Sequence, residues 1–338
     1  MNLASCIVLT IAVTACGAAS TNTICPAGLP VAHVPSATSV PPTLTAPAAI
    51  VAPKSLPINQ DAVAAATGAK PELADPVVKV TFPRTDVPVE VDGSKLAPFM
   101  GLTSWVAFTP GKPGVEAMVM GDLVLFEDEV NPVMSALLGA EVEVTALHNH
   151  FLYVKPAVFF MHINGEGTVA NLGKGIKAAM DTILDIRKKS PKPSGKSGAP
   201  AIASKSTIDS TKLDALFGVK GQSKDGMYKA TMGRAATAAC GCAIGKVMGI
   251  NTWAAFQGTD EASAVDGDFA VTESELQPVL KALRAGGIDI VAIHSHMTGE
   301  SPRLLFLHYW GRGKSAELAA VLKKALDLTA WDGAIKST

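Results

Sequence analysis

Six of the seven histidines in this 338-residue chain form two copies of one pattern. His148-Asn-His150 is followed by His162, and His294-Ser-His296 by His308, each residue lying 146 positions from its counterpart. Imidazole is the commonest metal ligand and the one side chain that ordinarily changes charge near neutral pH. Two imidazoles spaced i, i+2 on a strand share one side. Each copy therefore offers a pair of nitrogens, with a third arriving from further along. Such a trio suits a divalent ion of the zinc or copper type. Whether His162 and His308 join depends on the loop between. A tight hairpin sets His162 opposite Thr145, roughly 10 Å from His148. A longer loop centred near 155–156 brings it opposite His148 or His150. Pro156 and Pro302 favour the longer loop, because proline fits poorly inside a paired strand.

The second copy carries extra polar groups. Glu300 lies four residues past His296 and reads as a ligand or catalytic base, and Arg303 as a contact for an anionic ligand. The first copy has Val154 and Ala157 there, so the second site is the more complete one. Asp268, like Asp122 in the first copy, follows a glycine on a strand. It is a further candidate for ligand or catalytic base, with a bulge or an Asx turn as the alternative. Met118, Met120, Met161 and Met297 could supply thioethers to copper, but apolar strands favour core packing. Trp105 and Trp253 read as core anchors. Cys240-Gly-Cys242 is too closely spaced for a zinc knuckle and reads as small buried or disulfide-paired thiols.

The elements that must position these groups also repeat. Gly101-Leu-Thr-Ser-Trp105-Val-Ala-Phe108 matches Gly249-Ile-Asn-Thr-Trp253-Ala-Ala-Phe256, and Gly121-Asp122, Glu127, Glu129 and Pro132 match Gly267-Asp268, Glu273, Glu275 and Pro278. This is an internal duplication. Each copy opens with a short helix (59–67 and 209–217). Strands follow near 76–82, 102–108 and 117–125, matched by 225–231, 250–256 and 263–271. Thr272-Glu-Ser-Glu275 forms a capping box for a helix ending at Gly286-Gly287, although Pro278 argues for a later start. Glu127, Glu129, Glu273 and Glu275 suit a helix N-terminus. The histidine strand comes next, then a second strand and a helix near 168–186 or 314–328. On strand 141–150 the histidines continue the even face of Val142, Val144 and Ala146, which reads as core-facing. The expected fold is α+β: two tandem homologous repeats, each an antiparallel sheet packed with two or three helices.

Apolar residues 3–15 are too few to span a bilayer, which takes about 20, and end at Cys16 before small residues, as a secretory signal does. We expect a signal over 1–16 and a Pro/Ala-rich tether over 17–57. Repeat 1 (58–187), a basic Pro/Gly linker (188–207), repeat 2 (208–329) and a tail (330–338) follow. The formal net charge of −1 provides no field for nucleic acid.

The run Met120-Gly-Asp-Leu-Val-Leu-Phe-Glu-Asp-Glu-Val-Asn-Pro-Val-Met134, with Val144-Thr-Ala-Leu-His-Asn-His150, resembles the LppY/LpqO lipoprotein family, a family without an established reaction. The resemblance covers residues 58–329. It implies export and lipidation at Cys16, with the membrane reached only through that anchor. In the second repeat Gln277 and Ser295 depart from the asparagines usual in that family. The resulting expectation is an exported, lipid-anchored envelope protein at the periplasm or cell surface, binding a divalent metal through His148, His150, His162, His294, His296 and His308. Two uses of that site stay open: metal-dependent hydrolysis, with Glu300 or Asp268 handling the proton, and non-catalytic binding of a small-molecule or envelope ligand.

Overall fold

The protein is described by a computed structural model covering residues 57–333, apart from 75, 196–198 and 200. Cys16, Cys25, the signal and nearly all of the tether lie outside the described residues. No helix among the described residues is long and apolar enough to cross a membrane.

Repeat 1 runs α1 (Gln60–Thr67), β1 (Glu72–Ala74), β2 (Val77–Pro83), β3 (Val89–Val91), β4 (Ser94–Leu96), β5 (Thr103–Pro110) and β6 (Ala117–Phe126). It continues with α2 (Val130–Gly139), β7 (Glu143–His148), β8 (Val154–Lys155), β9 (Val158–Gly167) and α3 (Val169–Lys189). Repeat 2 follows the same order: α4 (Ser210–Phe217), β10 (Gln222–Lys224), β11 (Met227–Gly233), β12 (Ala236–Thr237), β13 (Ala243–Ile244), β14 (Asn251–Gly258) and β15 (Ser263–Thr272). Then come α5 (Glu273–Ala285), β16 (Asp289–His294), β17 (Leu304–Gly313) and α6 (Ser315–Leu326).

The two repeats share one 12-stranded antiparallel sheet, ordered β1-β2-β5-β6-β9-β7-β16-β17-β15-β14-β11-β10. The order is a palindrome in repeat-equivalent strands, so a pseudo-twofold passes between β7 and β16. Those strands pair at one position, Leu147 with Ile293. Side-chain amides take over where the strands part. Asn131 on α2 donates to the Ile290 carbonyl and accepts from its N–H, while Gln277 on α5 does the same for Val144. Gln277 thus replaces asparagine without losing the function.

Among the described residues six α-helices cover one face, and their apolar stripes join alternate strand residues in a single core running through both repeats. On the opposite face each repeat keeps a smaller apolar cluster, around Phe126 and Phe160 in repeat 1 and around Ala270 and Phe306 in repeat 2. The β3–β4 hairpin, pairing with β8, lies over the first of these. The β12–β13 hairpin contributes to the second and contacts the loop after His296 through Thr237 and Ser301. It carries Cys240 and Cys242, which are disulfide-bonded.

Several expectations change. Helix α5 begins at Glu273 with its Thr272/Glu275 capping box intact, so Pro278 is accommodated inside the helix instead of delaying it. In repeat 1 the helix does start later, at Val130, which places Pro132 in the first turn, where the N–H it lacks has no helical partner anyway. Glu129 and Glu275 are more than dipole-favoured acids. Glu129 is fully buried and binds Arg84 and Arg187, and Glu275 binds Arg234. The expected tail is partly built in: Trp331 packs against the core, and the Asp332 N–H donates to Gly233.

Candidate metal centre

The histidines lie on the sheet face away from the helices, contrary to the core-facing reading. A bulge on each histidine strand is the reason. Val144 pairs with Ile163 and Ala146 with His162, so Thr145 is an extra residue; likewise Ile290 pairs with Tyr309 and Ala292 with His308, leaving Val291 extra. One added residue exchanges the two faces of everything beyond it. Val144, Leu147, Ile290 and Ile293 pack into the helix-side core, and His148 and His294 point the other way.

His148 and His294 end their strands, while His150 and His296 lie beyond them. Stacking brings the latter back. The His150 ring lies on Phe160 at 3.4 Å between centroids, and His296 on Phe306 at 3.5 Å. The sequence reading missed both phenylalanines. Their signal was available: each stands two residues before the third histidine, at the same offset of 146.

The third histidine does reach the pair. It sits opposite Ala146 or Ala292, diagonal to the first imidazole. His148 and His162 stack at 5.1 Å, as do His294 and His308. In repeat 1 His148 Nε2 and His150 Nε2 are 3.2 Å apart. In repeat 2 one nitrogen from each of His294, His296 and His308 falls within 4.8 Å of the others, the one such group among the described residues. This triad can hold a metal ion.

The donor chemistry fits. Desolvation, and then neighbouring imidazoles, hold His148, His294 and His296 below the usual histidine range, so they are neutral ligands at pH 7. Desolvation does the same to His150, with Asp122 opposing. His308 Nδ1 lies 3.3 Å from the Gly267 carbonyl, to which it can only donate, leaving Nε2 with its lone pair. His294 Nδ1 is buried with no hydrogen-bond partner, as is Asp268 Oδ1. Orphaned polar atoms of this kind suit a site shaped around an ion.

Asp268 stands beside the trio. It pairs across the sheet with His308, and its Oδ2 lies 3.6 Å from His296 Nε2. Burial pushes its carboxyl up to about 6, although His308 pulls it down. Asp122 occupies the matching place opposite His162. Neither aspartate marks a bulge or turn; both lie within continuous pairing. Gly267 is glycine because a Cβ there would meet the Tyr309 hydroxyl at 2.1 Å and the Trp253 carbonyl at 2.3 Å.

Other candidates fall away. Glu300 accepts the Leu304 N–H and closes its own loop, and its carboxylate is not among the converging ligand atoms. Arg303 is exposed and faces Glu273. Trp105 and Trp253 are not core anchors. They share the histidine face beside Asp122 and Asp268, under Lys79 and Lys229 at 4.7 and 3.9 Å. Met161 is in the core and Met297 packs on the Phe306 cluster, while Met120 is exposed. A cavity of about 580 Å³ lies where β7 and β16 part, lined by Asn131, Phe159, Ile290 and Trp310, among others; no histidine lines it.

The duplication has a counterpart among known families. A family model described as Domain of Unknown Function (DUF1259) matches residues 61–182 and again 211–328. The chain belongs to this family. Each match coincides with one half of the sheet and carries one histidine trio. No curated protein matches the chain. Among solved structures, a trimeric bacterial microcompartment shell protein, PduB, is similar at 14% identity over 74% of this chain and 86% of the other, with a TM-score of 0.18.

Proposed function

We propose that this protein is an exported envelope lipoprotein, anchored through Cys16 and akin to the LppY/LpqO lipoproteins, that binds divalent metal at its duplicated histidine sites. The observation carrying the metal reading is the convergence of His294, His296 and His308 within 4.8 Å, with a buried unpartnered nitrogen on His294. Three imidazole nitrogens match zinc or copper better than magnesium or calcium, which prefer oxygen. Elemental analysis of purified chain tests it. Stoichiometric zinc or copper should be retained, and be reduced in a His294→Ala/His296→Ala variant. Metal-free wild type with an intact fold would refute it.

A second reading, metal-dependent hydrolysis, is favoured by Asp268. This carboxylate flanks the trio without belonging to it, the position for moving a proton on a group bound there. A bound ion would supply Lewis acidity; Asp268 would supply or accept the proton. Asp268→Asn should then lower turnover of ester or phosphate substrates by about 10²–10⁴-fold with metal content unchanged. No turnover with metal present would leave the binding module.

A further inference from the structure

We propose that the cavity where the two repeats part binds a small molecule carrying a protonated amine on an apolar stem. This site is separate from the histidine trios and needs no metal. The cavity, about 580 Å³, brings the carboxylates of Glu127, Asp128 and Asp289 together with the rings of Phe159 and Trp310. No lysine or arginine lines it. Arg187 pairs with Asp128 and Arg284 with Asp289, whereas Glu127 has no ion pair among the described residues. Asp128 Oδ1 is buried without a hydrogen-bond partner, an acceptor that an N–H on a ligand would satisfy. Trp310 is 39% exposed, so its ring is open to contact. It stands opposite Asp289 on one side and Asp266 on the other, which deepens the negative potential around the indole.

The pseudo-twofold separates what the seam requires from what this end of it adds. At the offset of 146, Trp310 corresponds to Asn164, Phe159 to Leu305, Asp128 to Ser274 and Asp289 to Glu143. At that counterpart position the Asn164 amide donates to Glu143, and Glu273, the equivalent of Glu127, faces Arg303. Polar groups there answer one another. Here both aromatic rings and a further carboxylate appear, and one carboxylate oxygen is left over. The strands part in the same way at both ends, so closing the seam does not account for the difference. A cation over an indole is held by the ring quadrupole, and an ammonium N–H bonds strongly to carboxylate oxygen. Val130, Ile290 and Val291 line the remaining wall and suit an alkyl stem. An anionic ligand would meet three charges of its own sign. A purely apolar one would leave Asp128 Oδ1 unpaired.

The test is a calorimetric titration of the full chain with hexylammonium, hexan-1-ol and hexanoate at one ionic strength. Hexylammonium should bind with 1:1 stoichiometry, about tenfold or more tighter than hexanol, and hexanoate should bind weakest. Trp310→Leu keeps apolar bulk but removes the ring. It should weaken hexylammonium binding about 5–30-fold while leaving hexanol unchanged, and Trp310→Phe should recover part of the loss. Glu127→Gln, at an exposed carboxylate, should also weaken the amine and not the alcohol. Hexanol binding as tightly as hexylammonium overturns the inference. So does a Trp310→Leu variant that binds the amine like wild type, or a folded wild type that binds none of the three. Each of these results leaves the metal reading untouched, because zinc and copper content is measured separately on the same preparation.

Discussion

Phe306 never contacts an ion in this reading, yet it decides whether His296 belongs to the site. His296 lies beyond the end of β16 and returns only by lying flat on the Phe306 ring, 3.5 Å away. Removing that support should cost ligand geometry instead of fold. Phe306→Ala is expected to weaken zinc binding about 10–100-fold, read by competition with a chromophoric chelator, and Phe306→Tyr should restore most of it. Unchanged affinity in Phe306→Ala would show that His296 finds its place by other means. Gly267 is the opposite case, a residue defined by what it leaves out. Gly267→Ala forces a methyl against the Tyr309 hydroxyl and the Trp253 carbonyl. It should cost about 1–3 kcal/mol in urea denaturation. At this scale the site was largely readable. Six histidines at one offset in a chain with a single other histidine are a local signal. Phe160 and Phe306 were not read because stacking partners come from a strand ten residues away and carry no polar chemistry of their own.

At the scale of elements, each repeat fixes the start of its middle helix to its strands through an arginine–glutamate pair. Arg84 reaches Glu129 and the Val124 carbonyl, and lies over the Phe126 ring at 4.3 Å; Arg234 reaches Glu275 and the Ala270 carbonyl. The copies differ in redundancy. Glu129 also faces Arg187 Nε at 2.9 Å, whereas Arg234 is the one cation paired with Glu275 among the described residues. Stranding a buried charge costs about 3–5 kcal/mol, so Arg234→Ala should destabilise more than Arg84→Ala; equal losses in chemical denaturation would contradict this. Burial pushes the Glu275 carboxyl up, but Arg234 and the N–H groups of Thr272 and Ala330 outweigh it and hold it below the ordinary carboxylate range. A carboxyl depressed on folding releases its proton more readily in the folded state. Its contribution is therefore complete only above the ordinary glutamate value of 4.5 and is lost as pH falls from there through the lowered value. The stability gap between wild type and Glu275→Gln should accordingly be widest near neutrality and narrow below about pH 4, in melts run across that range. The sequence marked Glu129 and Glu275 only as acids suited to a helix N-terminus. It could not join them to Arg84 and Arg234, because the partners lie 45 and 41 residues apart.

For the whole molecule, the shared sheet makes the two repeats one folding unit. Beyond the pair at Leu147 and Ile293, the seam is held by Asn131 and Gln277, each making two hydrogen bonds to a peptide of the other repeat. Asn131→Ala and Gln277→Ala should each cost about 1–3 kcal/mol by leaving strand peptides unpaired, and urea unfolding should stay a single transition. Two separate transitions in wild type would show that the halves are independent. Duplication, element order, the capping box at Thr272 and the histidine trios are properties of neighbouring residues along the chain, so composition, spacing and periodicity determined them. Which sheet face the histidines occupy was not determined that way. A single extra residue at Thr145 or Val291 exchanges faces, and it is set by the fit of Val144, Leu147, Ile290 and Ile293 against helices drawn from elsewhere in the chain. Nor could spacing place the two trios side by side. β7 and β16 are equivalent strands a full repeat apart in the chain, and the pairing that brings them together depends on contacts formed only once both halves have folded.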